Sequence, residues 1–473
     1  MNAQRRSRRF AGLLRAIQLV FSENAVKAFI LIGLPTGLLF TFGTPPFYML
    51  DEPNHYFRAY QISQGDIVAE KRDDKTGGVL PRSLAASVYV FRVGVQQYDD
   101  GHVPVELIKG ALTMPLQEKD TSYVSFANTA MYSPVPYLPQ TFGITIGRYL
   151  NLSPLGVMYL GRVFNLLFSI VLIAFAIHLV PAHRWVFMLI ALSPTSMFQM
   201  ASMSSDALTN ALILLFIALV ARQAFLSESE QINSRYVVLL AATGILLGFC
   251  KPIYVILPAL IVLIPGRKFS RPWMKYALAC GVLLAAVVPA GVWNAIAKDI
   301  YNPFMDTGAN PSEAVAYSLG HPIQVLGILA QDLWNQGMFY LQGLVGIQWN
   351  EQNILLSGPF IALYYAIILA TALFDTSDEV RIERWQRAIL FVFLGSAVLL
   401  VTFAVYITWV PPGSSFIAGV QGRYFLPLLP LALLFLYKRW KPIPKYRAVA
   451  AILYPVFSFS YLFASFLLFR QLV

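Results

Sequence analysis

A run of polar residues follows the first long apolar segment, 26–45. The run DEPNHYFRAY covers residues 51–60. As a helix it would place four polar residues on one face, at i, i+3, i+4 and i+7: Asp51, Asn54, His55 and Arg58. A carboxylate beside an imidazole and a guanidinium suits a general base next to a phosphate-binding cation. The same pattern is typical of an N-cap carboxylate before a solvated helix face. The two interpretations are compatible, because a capping carboxylate can also take a proton.

Three further charged residues lie at the ends of apolar segments. Asp206 precedes an apolar run and has little solvent cover, so it is either a functional acid or a helix cap. Lys251 lies between two short apolar stretches, where it could pair with a lipid phosphate or extend its amine to the interface. Arg423, in the run GVQGRYFLP, can form a forked contact with a phosphate, and the flanking glycines permit a close backbone approach to a ligand. We place Gln421 and Tyr424 in the same phosphate-binding group.

The remaining candidates carry a weaker signal. Arg162, inside an apolar run, could hold a phosphate or pair with an acid. Trp349 could stack on a sugar ring, although tryptophan is also common at membrane interfaces.

Cys250 and Cys280 are the two cysteines, and both lie in apolar stretches, so the sequence predicts neither a disulfide framework nor a cysteine metal motif. Glycine-rich nucleotide fingerprints are absent from the sequence, so a nucleotide-sugar donor has no support.

The elements that must position these residues are apolar. The chain of 473 residues is 57% hydrophobic and 12% charged, about half the charge of a soluble protein. Its apolar runs at 155–180, 206–226, 353–374 and 387–410 approach or exceed the ~20 residues that span a bilayer. The net charge of +11 lies beside these runs, as topology signals do, so nucleic acid is not an expected partner. These features predict an all-α polytopic membrane protein in contact with the lipid bilayer.

Positive residues set the expected topology. The arginine-rich N terminus predicts a cytoplasmic start, and we interpret 26–45 as a retained anchor rather than a removed signal peptide. If 131–150 does not cross the membrane, the chain has 11 spans in all, among them 184–202, 252–266 and 423–438, and fifteen lysines and arginines lie in inner connections. If it crosses, they move outside, so we expect a surface or re-entrant helix. The chain then forms one domain, 1–473, with large outer elements at 46–154 and 298–352.

Four stretches of the sequence together resemble a known superfamily. They are DEPNHYFRAYQIS, YSPVPYLP, MSSDALTNAL and GVQGRYFLPLLP, and they are similar, in this order, to the GT-C superfamily of integral membrane glycosyltransferases. A narrower resemblance is to a bacterial family of predicted membrane proteins that includes proteins assigned to O-antigen modification. The similarity covers most of the chain. It implies a GT-C-like bundle of about 11 transmembrane helices, with a long first outer loop that carries juxtamembrane helices.

The resemblance also implies an activity. The donor would be a polyprenyl-phosphate-linked sugar, hexosyl or pentosyl, and the acceptor a glycan or lipid-linked glycan. The protein would lie in the bacterial cytoplasmic membrane with its active site facing the periplasm. Transfer would be inverting, with Asp51 as general base and Glu52 assisting it or binding a divalent metal, Mg²⁺ or Mn²⁺, which some members use. Arg423 would hold the carrier phosphate. We assign substrate binding to His55, Asp206 and Trp349.

Two other classes of protein remain open at this point. A lipid-linked glycan flippase would carry intramembrane charges along a path across the bilayer, whereas Asp51, Asp206, Lys251 and Arg423 all map to the outer side of the expected topology. A transferase of the O-antigen-ligase type would move a whole glycan from a pyrophosphate carrier. The one-sided placement of the charged residues favours an enzyme over a flippase, and a single-sugar mass shift on the acceptor would separate the transferase from a ligase.

Overall fold

The computed structural model describes seven parts of the chain. Within them the protein is mostly helical, as predicted for a polytopic membrane protein, and it also has one small antiparallel sheet that was not predicted. The basic N-terminal residues and Trp349 lie outside these parts. The described residues are 24–49, 51–97, 103–226, 231–302, 308–348, 353–438 and 446–472.

The first outer element, predicted over 46–154, contains short helices and the sheet. Its strands pair in the order β1-β2-β3, each antiparallel to its neighbour. The 131–150 segment forms a 3-10 turn, Val135–Tyr137, and then a helix of 12 residues. At 1.5 Å per residue this helix is about 18 Å long, short of the ~30 Å hydrocarbon core, which favours a segment that does not cross. The elements in this half are α1 (Ala25–Gly43), α2 (Glu52–Ser63), β1 (Glu70–Arg72), β2 (Lys75–Pro81), α3 (Arg82–Gln97), α4 (Val105–Thr113), β3 (Thr121–Ser125), α5 (Ala127–Ala130) and α6 (Leu138–Tyr149).

Prolines divide the central part of the chain. The span expected at 184–202 is two short helices, because Ser193 caps the second one and Pro194 occupies its first turn. A proline lacks the N–H donor and disfavours helix in the residue before it. The span expected at 252–266 consists of 3-10 segments instead of an α-helix. The helices here are α7 (Pro154–Leu179), α8 (Arg184–Ala191), α9 (Pro194–Met200), α10 (Asp206–Phe225), α11 (Ser234–Cys250) and α12 (Met274–Ala297).

The last part of the chain contains a 3-10 segment, Gly422–Leu428, between its longest helices. The span expected at 423–438 is therefore this segment followed by a helix of 8 residues. The helices here are α13 (Pro311–Gly320), α14 (Pro322–Val345), α15 (Gly358–Phe374), α16 (Arg384–Trp409), α17 (Leu429–Leu436) and α18 (Tyr446–Leu472).

The membrane-spanning character of the protein is clear, but the expected count of eleven spans is not confirmed. Among the described residues, 6 helices are long and apolar enough to cross a bilayer, and four apolar segments are shorter. The long ones are α1, α7, α10, α12, α16 and α18. Of these, α10 is the most enclosed, because almost all of its side chains are buried inside the protein. A helix that is buried all round belongs to the centre of a bundle, and α10 begins at Asp206.

Candidate functional site

A cavity of about 220 Å³ lies where the first outer element meets the ends of α10, α11 and α16. Its wall contains four tyrosine or tryptophan rings, four acidic or basic side chains and one histidine. The predicted residues Asp51, His55, Asp206, Lys251, Arg423 and Tyr424 all line it, although they come from distant parts of the chain. The remaining lining residues are Ala127, Asn128, Thr129, Met131, Tyr132, Tyr301, Asn302, Thr408 and Trp409.

Two carboxylates and two cationic side chains form one charge network in the cavity wall. The Lys251 amine is paired with Oδ1 of Asp206. The Arg423 guanidinium lies between both acids, with Nε 3.6 Å from Oδ2 of Asp206 and Nη2 3.8 Å from Oδ2 of Asp51. The side chains of Asp206, Lys251 and Arg423 are about one-tenth exposed, whereas that of Asp51 is 32% exposed. The network is therefore buried on the bundle side and open at Asp51.

Arg423 keeps hydrogen-bonding capacity within this network. Its two carboxylate contacts are longer than hydrogen bonds, and its buried Nε has no hydrogen-bond partner among the residues that the structure describes. A guanidinium has five N–H donors in a planar fork, and an unpaired buried donor costs about 1–3 kcal/mol. An anion in the cavity would relieve that cost, so Arg423 is suited to bind one.

Lys251 is enclosed by aromatic rings. Its amine lies 5.6 Å from the centre of the Tyr132 ring and 5.1 Å from that of Tyr424. Cations are attracted to ring faces at this separation. The amine is thus held in place by two rings and by Asp206, so it adds a fixed positive charge to the cavity wall.

Asp51 has an unusual backbone. It lies in the left-handed region, with φ 63° and ψ 4°, at the N-cap position of α2, a conformation that is uncommon for residues other than glycine. Its carboxylate makes no capping hydrogen bond to the helix. Instead, Oδ1 accepts a hydrogen bond of 2.8 Å from Nδ2 of Asn128. Asp51 thus has the capping position without the capping bond, and its carboxylate turns toward the cavity.

Glu52 does not line the cavity. Its carboxylate is fully buried and bound at both oxygens by Arg162, with Nε–Oε1 2.8 Å and Nη2–Oε2 2.5 Å. Oε1 also accepts the backbone N–H of Met203 at 3.1 Å. Arg162 donates further to the carbonyls of Thr41 and Thr44 at the end of α1. Arg162 thus pairs with an acid, one of its two expected roles, whereas the Glu52 carboxylate is engaged in the structure of the bundle and does not join that of Asp51 in the cavity.

His55 and Arg58 share a helix but not an environment. His55 borders the cavity, and its Nδ1 is 2.8 Å from the Tyr137 hydroxyl. Burial, opposed mainly by the charge of Asp51, lowers the pKa of His55 to about 4, so the ring is neutral at pH 7. Arg58 is fully buried outside the cavity, where it donates to the carbonyls of Ile67 (2.7 Å) and Tyr132 (2.9 Å). It is therefore not available to a phosphate in the cavity.

The run around Arg423 is shaped by its glycines, but not as the sequence suggested. Gly422 lies against the backbone of α14, since a Cβ there would be 2.2 Å from the Tyr340 carbonyl oxygen. The close approach is thus to a neighbouring helix. Gln421 is buried and does not line the cavity. Trp349 lies outside the described residues.

Several lining residues were not predicted. Asn128, Tyr301, Asn302 and Trp409 carry no motif, and their positions depend on long-range packing. Tyr132 begins the YSPVPYLP stretch and so lay within a recognised signal. Among the parts of the chain that the structure describes, no three His, Cys, Asp or Glu side chains group closely enough to hold a metal ion.

A comparison with known protein families gives one match. The family described as "Predicted membrane protein (DUF2142)" matches residues 34–432. The chain belongs to this family. The DUF2142 match includes every residue that lines the cavity. No curated protein and no solved structure matches the chain.

Proposed function

We propose that this DUF2142 protein is an inverting glycosyltransferase that takes a sugar from a polyprenyl-phosphate carrier. One observation carries the proposal: the Asp51 carboxylate lies 3.8 Å from an arginine whose buried Nε has no hydrogen-bond partner in the described part of the chain. A base next to an arginine with hydrogen-bond donors to spare suits transfer of a group away from an anionic leaving group. A second cation, Lys251, lines the same cavity.

The reaction would be a single displacement. Oδ2 of Asp51 takes the proton of the acceptor hydroxyl as the acceptor oxygen bonds to the anomeric carbon. The bond from that carbon to the phosphate oxygen breaks, and the phosphate leaves with the electron pair. Arg423 and Lys251 stabilise the charge on the phosphate. Attack opposite the leaving group inverts the anomeric configuration.

An apolar groove beside the cavity supports a lipid-linked donor. The groove, of about 300 Å³, lies between α14, α16 and α17. In a 3-10 helix residues three apart lie on one side, and Phe425 and Leu428 both line the groove. Arg423 and Tyr424, from the same Gly422–Leu428 segment, line the charged cavity. A donor with a phosphate head and a long hydrocarbon chain would match both surfaces.

The expected topology supports transfer on the outer side of the membrane. The cavity residues Asp51, Asp206, Lys251 and Arg423 all fall at outer ends of apolar segments when positive residues stay inside. We therefore propose a multi-pass protein of the bacterial cytoplasmic membrane, with the cavity facing the periplasm. The acceptor would be a cell-surface glycan, such as O-antigen, or a lipid-linked glycan.

The purified protein, supplied with polyprenyl-phosphate sugars and a glycan acceptor, provides the test. Asp51→Asn should lower kcat by about 100-fold or more, as expected for loss of a general base, while the folded state survives. Arg423→Gln should raise the donor KM. Asp120→Asn, at an acid that is exposed outside the cavity, is the matched control. Normal turnover by folded Asp51→Asn would remove the base and, with it, the proposed reaction.

The same assay separates the other classes. A product heavier by one sugar supports the transferase, whereas a product heavier by a whole glycan would indicate a ligase. Movement of the lipid-linked glycan between leaflets without any product would indicate a flippase.

A further inference from the structure

A chain of two amides reaches the candidate base from its own helix. Asn54 lies one turn after Asp51 in α2, and its Nδ2 donates to Oδ1 of Asn128 at 2.6 Å. Asn128 lies in α5, and its Nδ2 donates to Oδ1 of Asp51 at 2.8 Å. Asp51 and Asn54 are thus joined through a residue 77 positions from Asp51.

The direction of this chain is fixed by chemistry. An ionised carboxylate can only accept hydrogen bonds, so Asn128 must present its NH₂ group to Asp51. Its carbonyl oxygen is then directed to Asn54, which must donate. Asn54 therefore sets the orientation of the Asn128 amide, and Asn128 sets the orientation of the carboxylate.

The small sheet holds Asn128 in place. α5 begins directly after β3, and the N–H of Phe126 donates to the Thr76 carbonyl of β2 at 2.9 Å. Thr129 donates from its hydroxyl to the Asn54 carbonyl at 2.9 Å, which ties α5 to α2. Strands β2 and β3 approach each other closely at Gly77, where a Cβ would be 1.9 Å from the Val124 carbonyl oxygen. Asn128 is thus attached both to the sheet and to the helix of the base.

We propose that Asn128 is the positioning residue of the base, and that it selects the oxygen that takes the proton. It binds Oδ1, so Oδ2, the oxygen on the Arg423 side, is left for the acceptor hydroxyl. This inference rests on the proposed transferase reaction. It adds that the first outer element contributes to catalysis through Asn128, with Asn54 as its support.

The test compares steady-state kinetics and pH profiles of variants in the full-length protein. Asn128→Ala should lower kcat by roughly 10- to 100-fold, in line with the cost of misplacing a reacting group. The donor KM should stay within about twofold of wild type, because Asn128 does not contact the phosphate cations in this scheme. Ser125→Ala, which removes a neighbouring hydrogen bond to Thr76 outside the chain of amides, should keep the wild-type kcat.

A second variant reports on a property that a structural role would not affect. Asn128→Asp places a carboxylate of the same size against Asp51, and two such groups share a proton. The acidic limb of the kcat profile should therefore move to higher pH by at least about one unit. Asn128→Gln keeps the donor and should recover part of the activity that Asn128→Ala loses.

Asn54 provides an independent check. Asn54→Ala should lower kcat in the same direction, and combining it with Asn128→Ala should cost no more than Asn128→Ala alone, because both act through one chain. Wild-type kcat and pH profile in Asn128→Ala and Asn128→Asp, alongside inactive Asp51→Asn, would overturn the positioning role alone. Active Asp51→Asn would instead overturn the transferase reaction itself.

Discussion

Arg162 and Glu52 form a two-point ion pair in which neither side chain is exposed to solvent. The pair joins α7 to the first residue of α2, directly beside Asp51. Arg162 also binds carbonyl oxygens at the end of α1, so one guanidinium fixes the turn in which Asp51 lies. The two adjacent acids of the sequence thus have separate environments, one inside the bundle and one at the cavity.

The first prediction separates the two acids by stability. Glu52→Gln should lower the free energy of unfolding by about 3–5 kcal/mol, because it leaves the Arg162 charge buried without its partner. Asp51→Asn should melt near the wild-type temperature, since Asp51 is partly exposed. Thermal melting in detergent checks both. A Glu52→Gln variant as stable as wild type but inactive would show instead that Glu52 has a chemical role.

The second prediction concerns the contact between α14 and the Arg423 segment. Gly422→Ala would place a Cβ against the Tyr340 carbonyl oxygen, and overpacking of this kind costs about 1–3 kcal/mol. Both the melting temperature and donor use should fall, because the segment must move away from α14. Gly327 lies in α14, the helix that Gly422 contacts, and none of the described atoms would be within 4 Å of a Cβ there. Gly327→Ala is therefore the control and should leave the melting temperature unchanged or raise it slightly.

The third prediction tests the groove separately from the cavity. Gly337 lies in the groove wall, and none of the described atoms would stand within 4 Å of a Cβ at this position. Gly337→Phe should therefore fold and fill the groove. The KM for a full-length polyprenyl-phosphate donor should rise, whereas that for a short-chain analogue should change little. Equal effects on both donors, or the same effect from Gly327→Phe, would argue against a lipid chain in this groove.

The fourth prediction is a loss of stability in mild acid. Burial lowers the pKa of His55 from 6.5 to about 4, so between these pH values the unfolded chain binds more protons than the folded protein. Stability is therefore complete above pH 6.5 and falls as pH drops toward 4, by on the order of 3 kcal/mol for this group. Melting temperature against pH measures it.

His183 gives an effect of the same sign, because burial also lowers its pKa to about 4. The His55 contribution is therefore the difference in slope between wild type and His55→Gln. Identical slopes over this pH range would mean that His55 does not titrate as described.

Sequence reasoning identified much of the cavity because charged residues at the ends of apolar segments are conspicuous. Asp206, Lys251 and Arg423 were visible for that reason. It failed within α2 for geometric reasons. Asp51 precedes the helix with a left-handed backbone, whereas Glu52 is its first residue, so the side chains of these adjacent acids point in different directions, one to the cavity and one into the bundle. Arg58 returns to the face of Asp51 but lies about 10 Å further along the axis, where other partners surround it.

The long-range part of the site could not be predicted from the sequence. Asn128 reaches Asp51 only because β2 and β3 pair and deliver α5 to α2. Those strands are short, and glycines interrupt β2, so their alternation is weak. The broken spans at 184–202 and 423–438 follow from Pro194 and Pro427, whose effect on a buried segment depends on the surrounding packing.

The Gly422–Leu428 segment contributes neighbouring side chains to two surfaces of opposite character, the charged cavity and the apolar groove. A displacement of this segment changes both surfaces at once. The affinity for the head group of a ligand and the affinity for its hydrocarbon chain should therefore change together in this protein. Exchanging these seven residues between DUF2142 proteins should transfer both preferences as a unit, and a substitution that displaces this segment should disturb both surfaces.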